Sequence, residues 1–525
     1  MKTIPACPDG RKKMKKKFFA ILCIMIVALA MVSAQAANET TEDITDITVM
    51  VYERGATIAG GSTLDNKDTR WLNEQLASKG VHITFVGVPR SGADATIETM
   101  IAAGTAPDVI VTNGRERVMQ YGSQGGLVDF TPYLDRLDPD YVELIQGTPI
   151  NMCSIDGGLY ALPGMPGYFS RGHEQYIRKD IVEALGMEMP TTREELIEFL
   201  YAVKENYPDM IPYAFSGKIT DACFFQFVLS YTSRADERTN FIYEPSFTNC
   251  LRPGAKEGFR QLNQFYLDGI IPQDFALDVD ETKFNQARAN GNVAFMLYNS
   301  ADTTDFTQFG LTEGFMLWPC DTLPNADGDY VAPSSGAVNR YVYVLKSAED
   351  AGKMDAIMEF LSFMSNEDNA NTFANRLWSE EAATLDENGA PVSLLTKQQA
   401  QDLGYEERTS DMNNLRVSFD FGKENYVQNQ VKSAPNVPEE FFSAKYDIVR
   451  NKDGLYHNSA IPGTLSTDVY LSGLQTLICE FALKVISAPE GKFEEVWEAS
   501  YAKLVENHLE DVLNERAAWY DANMK

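Results

Sequence analysis

Residues 156–192 read DGGLYALPGMPGYFSRGHEQYIRKDIVEALGMEMPTT. A Gly157-Gly158 turn precedes a short apolar strand at 159–162, after which Pro163, Gly164, Pro166 and Gly167 form a breaker-rich crossing. An extended segment at 171–177 follows, then a helix with Ile181, Val182 and Leu185 on its apolar side. Gly186 is placed to end that helix in the left-handed conformation, and Pro190-Thr191-Thr192 to start the next one at 192–206, with Glu195 or Glu194 completing a capping box.

Upstream, ITVMVY (47–52) is a buried strand and 65–78 a helix with Trp71, Leu72 and Leu76 inward. VHITFVGV (81–88) is a second strand, 93–103 a helix and 108–112 a third strand. Strand and helix in alternation predict an α/β fold, a parallel sheet with helices on its faces. Ligands of such sheets sit beyond the carboxyl ends of the strands, which nominates Tyr52-Glu53-Arg54, Pro89-Arg90 and Asn113-Gly114-Arg115. No GxGxxG follows the first strand and no GxxxxGK[ST] occurs, so nucleotide binding has no support in the sequence.

The words of 156–192 resemble the segment "GKIYGIP … YIRKDWLDKLGL … PTT" of extracellular solute-binding proteins, the capture subunits of ABC importers, in the branch that handles sugars and oligosaccharides. Further words resemble that family in its order: AAGTAPDVIV (102–111), LVDFTPYL (127–134), GFRQLNQFYLDGIIPQD (258–274), FNQARANGNVAFML (284–297), MEFLSFMSNEDNANTF (358–373) and the terminal Trp519-Tyr520. The resemblance runs from about residue 45 to the end. It implies a two-lobed, type II periplasmic-binding-protein-like fold in which each lobe is a mainly parallel sheet flanked by helices and the lobes close about a hinge of crossing segments. The implied division puts 37–163 and 299–336 in one lobe and 164–298 and 337–525 in the other. The second crossing is expected at Tyr298-Asn299 and the third near 334–336.

Sugars present apolar ring faces and a rim of hydroxyls, and are held by aromatic platforms and polar groups. At the implied cleft edges stand Tyr52, Glu53, Arg54, Asn113, Arg115, Tyr168, Arg171, Tyr298, Asn299 and Trp318. Trp318, at the end of the strand 315–319, is read as the platform, with hinge packing as its alternative. Surface ion pairs are the alternative for Arg54 and Arg171, and helix capping for Glu53 and Asn113. Trp71 and Trp378 are read as core. The chain departs from the family at 377–381, where LWSEE replaces a glycine-bearing word. It departs again at 206–213, where NYPDMIPY stands in place of the Asp/Asn-rich calcium loop of relatives that bind large acidic sugars. One carboxylate, Asp209, cannot supply the six to eight oxygens calcium takes, so no metal site is carried over. The other candidate, 325–329, reads as a surface turn.

The first 36 residues have a basic stretch (RKKMKKK, 11–17), an apolar run at 18–32 and a small-residue end, Ser33-Ala34-Gln35-Ala36. This is the pattern of a secretory leader cut after Ala36, with Met14 an alternative start. Cys23 follows Leu22 within the run, which argues against a lipid anchor. That leader holds seven of the 45 Lys plus Arg and one of the 75 Asp plus Glu, so the remainder carries a net charge near −36. Such a surface repels nucleic acid and anionic membrane. Five widely spaced cysteines remain and no CxxC occurs, which fits neither a disulfide framework nor a zinc site; one long-range disulfide stays open. The four His are scattered, and GxSxG and HExxH are absent. The expectation is therefore a monomeric, exported, non-enzymatic binder without cofactor that delivers an oligosaccharide to a permease. A peptide carrier, a sensor-linked binder and a secreted polysaccharide-degrading enzyme are the alternatives.

Overall fold

A computed structural model describes residues 44–524 apart from 168–172, 219–223, 234–235, 300–313, 326, 328–331, 334–337, 407, 413–414, 451–454 and 457–464. The expected leader, Tyr168, Arg171 and the expected third crossing at 334–336 lie outside these residues, as does the side chain of Asn299. The chain divides into Met1–Thr45 and Asp46–Lys525.

Apolar residues recurring on both faces of a strand require cover on both sides, and the first sheet obeys this. Strands β1 (Thr45–Glu53), β2 (Val81–Pro89) and β3 (Val109–Thr112) alternate with helices Lys67–Ala77 and Ala93–Ala103. Val49, Val51, Ile110 and Val111 are buried in the centre. A small hairpin follows, β4 (Ser154–Ile155) with β5 (Gly158–Leu159), and then β6 (Leu162–Gly164). The sheet order is β2-β1-β3-β12-β6, where β12 is Arg340–Val344.

A second sheet, in the order β10-β7-β9-β8, is made of β7 (His173–Arg178), β8 (Ile211–Tyr213), β9 (Val293–Asn299) and β10 (Leu317–Cys320). Its period-two alternation sorts side chains onto two faces. Ile177, Phe295 and Leu297 join a core with helices Arg193–Asn206, Ala255–Leu267 and Leu471–Ile486. Tyr176, Met296 and Leu317 join another with Val427, Phe441 and Phe442, from helices Lys423–Ser433 and Glu439–Arg450. The two-residue strands β11 (Ala332–Pro333) and β15 (Leu455–Tyr456) pair with each other, and β13 (Ala383–Leu385) with β14 (Pro391–Ser393) across the Asp386–Gly389 turn.

Each sheet thus has its own core, and the molecule is two-lobed. Its strands are less parallel than expected. β1 and β3 are parallel, but β12 runs against both β3 and β6, and β7 runs against both β9 and β10; in the second sheet the parallel pair is β8 with β9. The reason is connectivity. β12 and β7 enter their sheets from the opposite lobe rather than through a strand–helix–strand crossover, so nothing forces them parallel.

The expected division also needs correction. The implied division places β10 in the first lobe with 299–336, yet it pairs with β7 residue by residue, from Leu317 opposite Arg178 to Cys320 opposite Gln175. It places β12 in the second lobe with 337–525, yet this strand completes the first sheet. Helix Met354–Ser365 follows it there, burying Ile357, Phe360 and Phe363 in the first core together with Met412 and Leu415. From Lys423 onward the helices pack on the second sheet.

Local signals were read correctly where they are strong. The Thr192 side chain accepts the Glu195 N–H at 3.2 Å and Glu195 accepts the Thr192 N–H at 3.1 Å, the reciprocal cap foreseen for helix Arg193–Asn206. Gly186 has φ +66°, as its helix-ending role demands. Trp71 stacks on Trp378 at 5.4 Å and on Phe373 at 5.9 Å, inside the first lobe. Cys153, Cys250, Cys320 and Cys479 are buried free thiols, while Cys223 lies outside the described residues.

Candidate ligand cleft

Three passages join described elements of the two sheets, and their ends on the first sheet are hydrogen-bonded to one another. The first leaves β6 at Gly164 and enters β7 at His173. The second leaves β10 after Cys320 and enters β12 at Arg340, with Asn339 donating its N–H to Gly164 O at 2.9 Å. The third follows Leu415. Met165 N–H donates to Leu415 O at 2.8 Å and Val417 N–H to Met165 O at 2.9 Å, so 415–417 forms a short bridge with the first passage. Gly167 approaches Ser418 so closely that any side chain at 167 would strike its carbonyl. Tyr298 and Asn299, the expected second crossing, are the last residues of β9, and the next described strand, β10, lies in the same second sheet.

These passages fix which edges face each other. Arg340 pairs with Gly164 and Tyr341 with Thr112, so all three passages meet the first sheet at the carboxyl ends of β1 and β3. His173 pairs with Asn299, and Thr322 donates through N–H (2.9 Å) and hydroxyl (2.6 Å) to Gln175 Oε1, so the second sheet meets them at the start of β7. The space between those edges is the candidate cleft.

The first edge gathers five of the nominated residues. Tyr52 is buried, donates its hydroxyl to Val111 O at 3.2 Å and lies under the Arg90 guanidinium at 4.9 Å. Burial pushes its phenol up, against the pull of Arg90 and Arg340. Glu53 is exposed, its carboxylate lying over Gly87, and Asn113 is exposed at the end of β3. Arg54 forks onto Asp411, Nε to Oδ2 at 2.6 Å and Nη2 to Oδ1 at 3.1 Å. The same carboxylate accepts Arg340 Nη2 at 3.0 Å, and Arg340 Nη1 bonds the Ser410 carbonyl. Asp411 therefore clamps the end of β1 to the start of β12, a role no local word announces, 357 residues from Arg54 in sequence. Arg115 donates Nε to Met152 O at 2.7 Å.

Arg115 also reaches the other lobe electrostatically. Burial raises the Asp468 carboxyl, and the Leu465 N–H, Arg516 and Arg115 all oppose it. Burial lowers Arg516, which Glu244 and Asp468 support. Arg516 donates Nε (2.9 Å) and Nη2 (2.7 Å) to Phe241 O, and Nη2 to Glu244 Oε2 at 3.1 Å. Glu244 in turn acts on Tyr341 of β12, whose phenol burial drives far up. Asp468 and Glu244 of the second lobe are thus near enough to Arg115 and Tyr341 of the first for their charges to be felt, and Arg516 is paired with Glu244. Sequence reading missed them because Glu244 and Arg516 are 272 residues apart and become neighbours only when helix Leu509–Asn523 docks beside Glu237–Ile242.

The remaining nominees are placed otherwise. Tyr298 stacks on Phe284 at 5.9 Å and lies under Arg288 at 4.2 Å, within the packing of the second lobe. Trp318 pairs with Ile177, set back from the edge, and its ring meets Phe441 edge-on at 5.8 Å, with Lys179 Nζ 4.2 Å from its ring centre. Its ring is engaged in packing rather than offered as a platform. Tyr207 O accepts the Met210 N–H at 3.0 Å, making 207–210 a tight turn with one carboxylate, and among the described residues no group of His, Cys, Asp and Glu could hold a metal ion.

The fold and the family agree. The alginate-binding protein AlgQ2 superimposes with a TM-score of 0.66 at 16% identity, covering 93% of this chain and 100% of that one. An HMO-binding, ABC-transporter-associated solute-binding protein from Bifidobacterium longum infantis gives 0.64 at 17%, covering 91% and 99%. The fructooligosaccharide ABC transporter substrate-binding protein FusA of Streptococcus pneumoniae is 25% identical over 360 residues, spanning 62% of this chain and 64% of FusA's length. The profile of the bacterial extracellular solute-binding proteins matches residues 72–385, and with a two-lobed α/β architecture hinged by three adjacent passages the chain belongs to that family.

Proposed function

We propose that the protein captures an oligosaccharide between the facing sheet edges and delivers it to the permease of an ABC importer, acting as an exported, non-enzymatic monomer freed of a leader at 1–36. The observation that carries this reading is the hinge: two separately cored lobes joined by adjacent passages can close over a solute by rotation about a few residues, with closure driven by contacts to both lobes. Support comes from the polar strand ends of the first lobe, Glu53, Asn113 and Arg115, opposite the Glu244–Arg516–Asp468 group of the second. FusA, whose name records fructooligosaccharide, supports a sugar as the solute. Tyr52 and Arg54 shape the first wall, and Tyr298 and Trp318 support the second.

The test is a thermal-shift screen of protein lacking residues 1–36 against oligosaccharides, monosaccharides and short peptides. A ligand at a hundred times its Kd adds about 2.7 kcal/mol of stability. A sugar that raises Tm and is recovered intact supports capture. Stabilisation by peptides alone, or cleavage of a glycan, overturns it.

A further inference from the structure

Resting on the sugar-capture reading, we infer that the cleft takes uncharged oligosaccharides and discriminates against uronate, sialylated or sulfated ones. A carboxylate or sulfate on a ligand is held best by a guanidinium fork with free donors, and desolvating it without such a partner is costly. The guanidiniums of Arg54, Arg115, Arg340 and Arg516 on the described cleft walls are already committed to groups of the protein.

On the first wall, both Arg54 and Arg340 close on Asp411, and Arg340 also holds the Ser410 carbonyl. Arg90 lies face-on over the Tyr52 ring, 4.9 Å from its centre, so its positive charge is shared with that ring. Arg115 holds the Met152 carbonyl. On the second wall, Arg516 uses two donors on Phe241 O and one on Glu244. An anionic ligand would have to displace Asp411 or Glu244 from these pairs, and removing one partner of a buried pair leaves the other charge uncompensated. The surroundings add repulsion: Glu53 is exposed at the first edge, and the chain beyond residue 36 carries a net charge near −36.

A hydroxyl faces neither obstacle. A carboxylate has about four lone-pair sites, and Glu244 and Asp468 can accept from sugar hydroxyls without surrendering a cation. Closed ion pairs with spare lone pairs suit a ligand that is polar and neutral.

The experiment is calorimetric titration of the wild-type protein with oligosaccharides matched in length: neutral fructo-, xylo- and gluco-oligomers against oligogalacturonates, alginate oligomers and sialyllactose, at low and high salt. Expected are binding of a neutral member, at least a tenfold preference over every charged one, and a Kd that changes less than twofold with salt. A charged oligomer that binds as tightly as any neutral one overturns this inference while leaving sugar capture standing; failure of all the glycans overturns both. Asp411→Asn frees two guanidiniums and should raise affinity for the uronate oligomers at low salt. A folded Asp411→Asn protein with no such gain overturns the inference. If that variant does not fold, the wild-type preference still decides.

Discussion

The two sheets meet the same cleft by different means. The first holds its edge with charge: Asp411, with a side chain 4% exposed, joins Arg54 and Arg340. The second holds its strands with aromatic contact: Tyr213 meets Phe215 at 4.7 Å and Phe295 at 5.0 Å, and Trp318 meets Phe441 at 5.8 Å. A wall fixed by ion pairs offers directional polar groups, while a wall fixed by apolar packing supplies a rigid backing and must recruit its polar groups from elsewhere. Here they come from helix Leu509–Asn523 and the segment around Asp468.

That contrast can be broken most forcefully at Asp411. Replacing it with Ala leaves the buried Arg340 guanidinium without its carboxylate and takes the same partner from the partly exposed Arg54, and urea unfolding should show a loss of about 3–5 kcal/mol. A loss below about 1 kcal/mol, the ordinary range for a surface pair, would show that charge does not hold the first edge. Next comes Trp318→Ala. It should cost about 3 kcal/mol, the low end for a large aromatic because the ring is only partly buried, while the affinity for the captured sugar changes less than twofold in calorimetry. A collapse of affinity would return Trp318 to the platform role and remove the distinction between the walls.

Two smaller effects sharpen the picture around the stretch 156–192. Thr192→Ala removes the cap of helix Arg193–Asn206 and should lower stability by about 1 kcal/mol in thermal unfolding, with Thr192→Ser retaining most of it. Asp129 anchors the other end: its Oδ1 accepts the Leu159 N–H at 2.9 Å, the Thr131 N–H at 2.9 Å and the Thr131 hydroxyl at 2.6 Å. Burial pushes this carboxyl up, but those three bonds together hold it below the ordinary 3.8. A depressed folded value means its stabilisation is present above the unfolded pKa and is lost as the pH falls through the folded one. The stability difference between wild type and Asp129→Asn should therefore be constant above about pH 5 and shrink in stronger acid; a difference independent of pH down to 2 would remove Asp129 from the account.

Much of the first lobe was legible because its signals are local. Helix Ala93–Ala103 has the bounds its pattern suggested, and β1 and β2 differ from expectation by a residue or two. The five nominees Tyr52, Glu53, Arg54, Asn113 and Arg115 share one edge because strand ends of a βαβ unit must. The second lobe was harder. Trp318 stands at a strand end in sequence, but its register against Ile177 and the side of the pleat it occupies depend on β7, and a shift of one residue would reverse its face. β10 and β12 were given to the wrong lobes for the same reason: a short apolar strand does not state its partner.

By itself the sequence determined the α/β class, the punctuation of 156–192, the caps at Thr192 and Gly186 and the negative charge, because propensity, capping and net charge depend on residues within a few positions or on a simple sum. Only the tertiary structure decided that Asp411 lies between Arg54 and Arg340, that Arg516 joins Glu244, and that Asn339 and the 415–417 segment both bond to Gly164-Met165. Those pairings close over hundreds of residues, and their cost in chain entropy is met by the cooperative burial of each lobe's core rather than by any signal local to the partners.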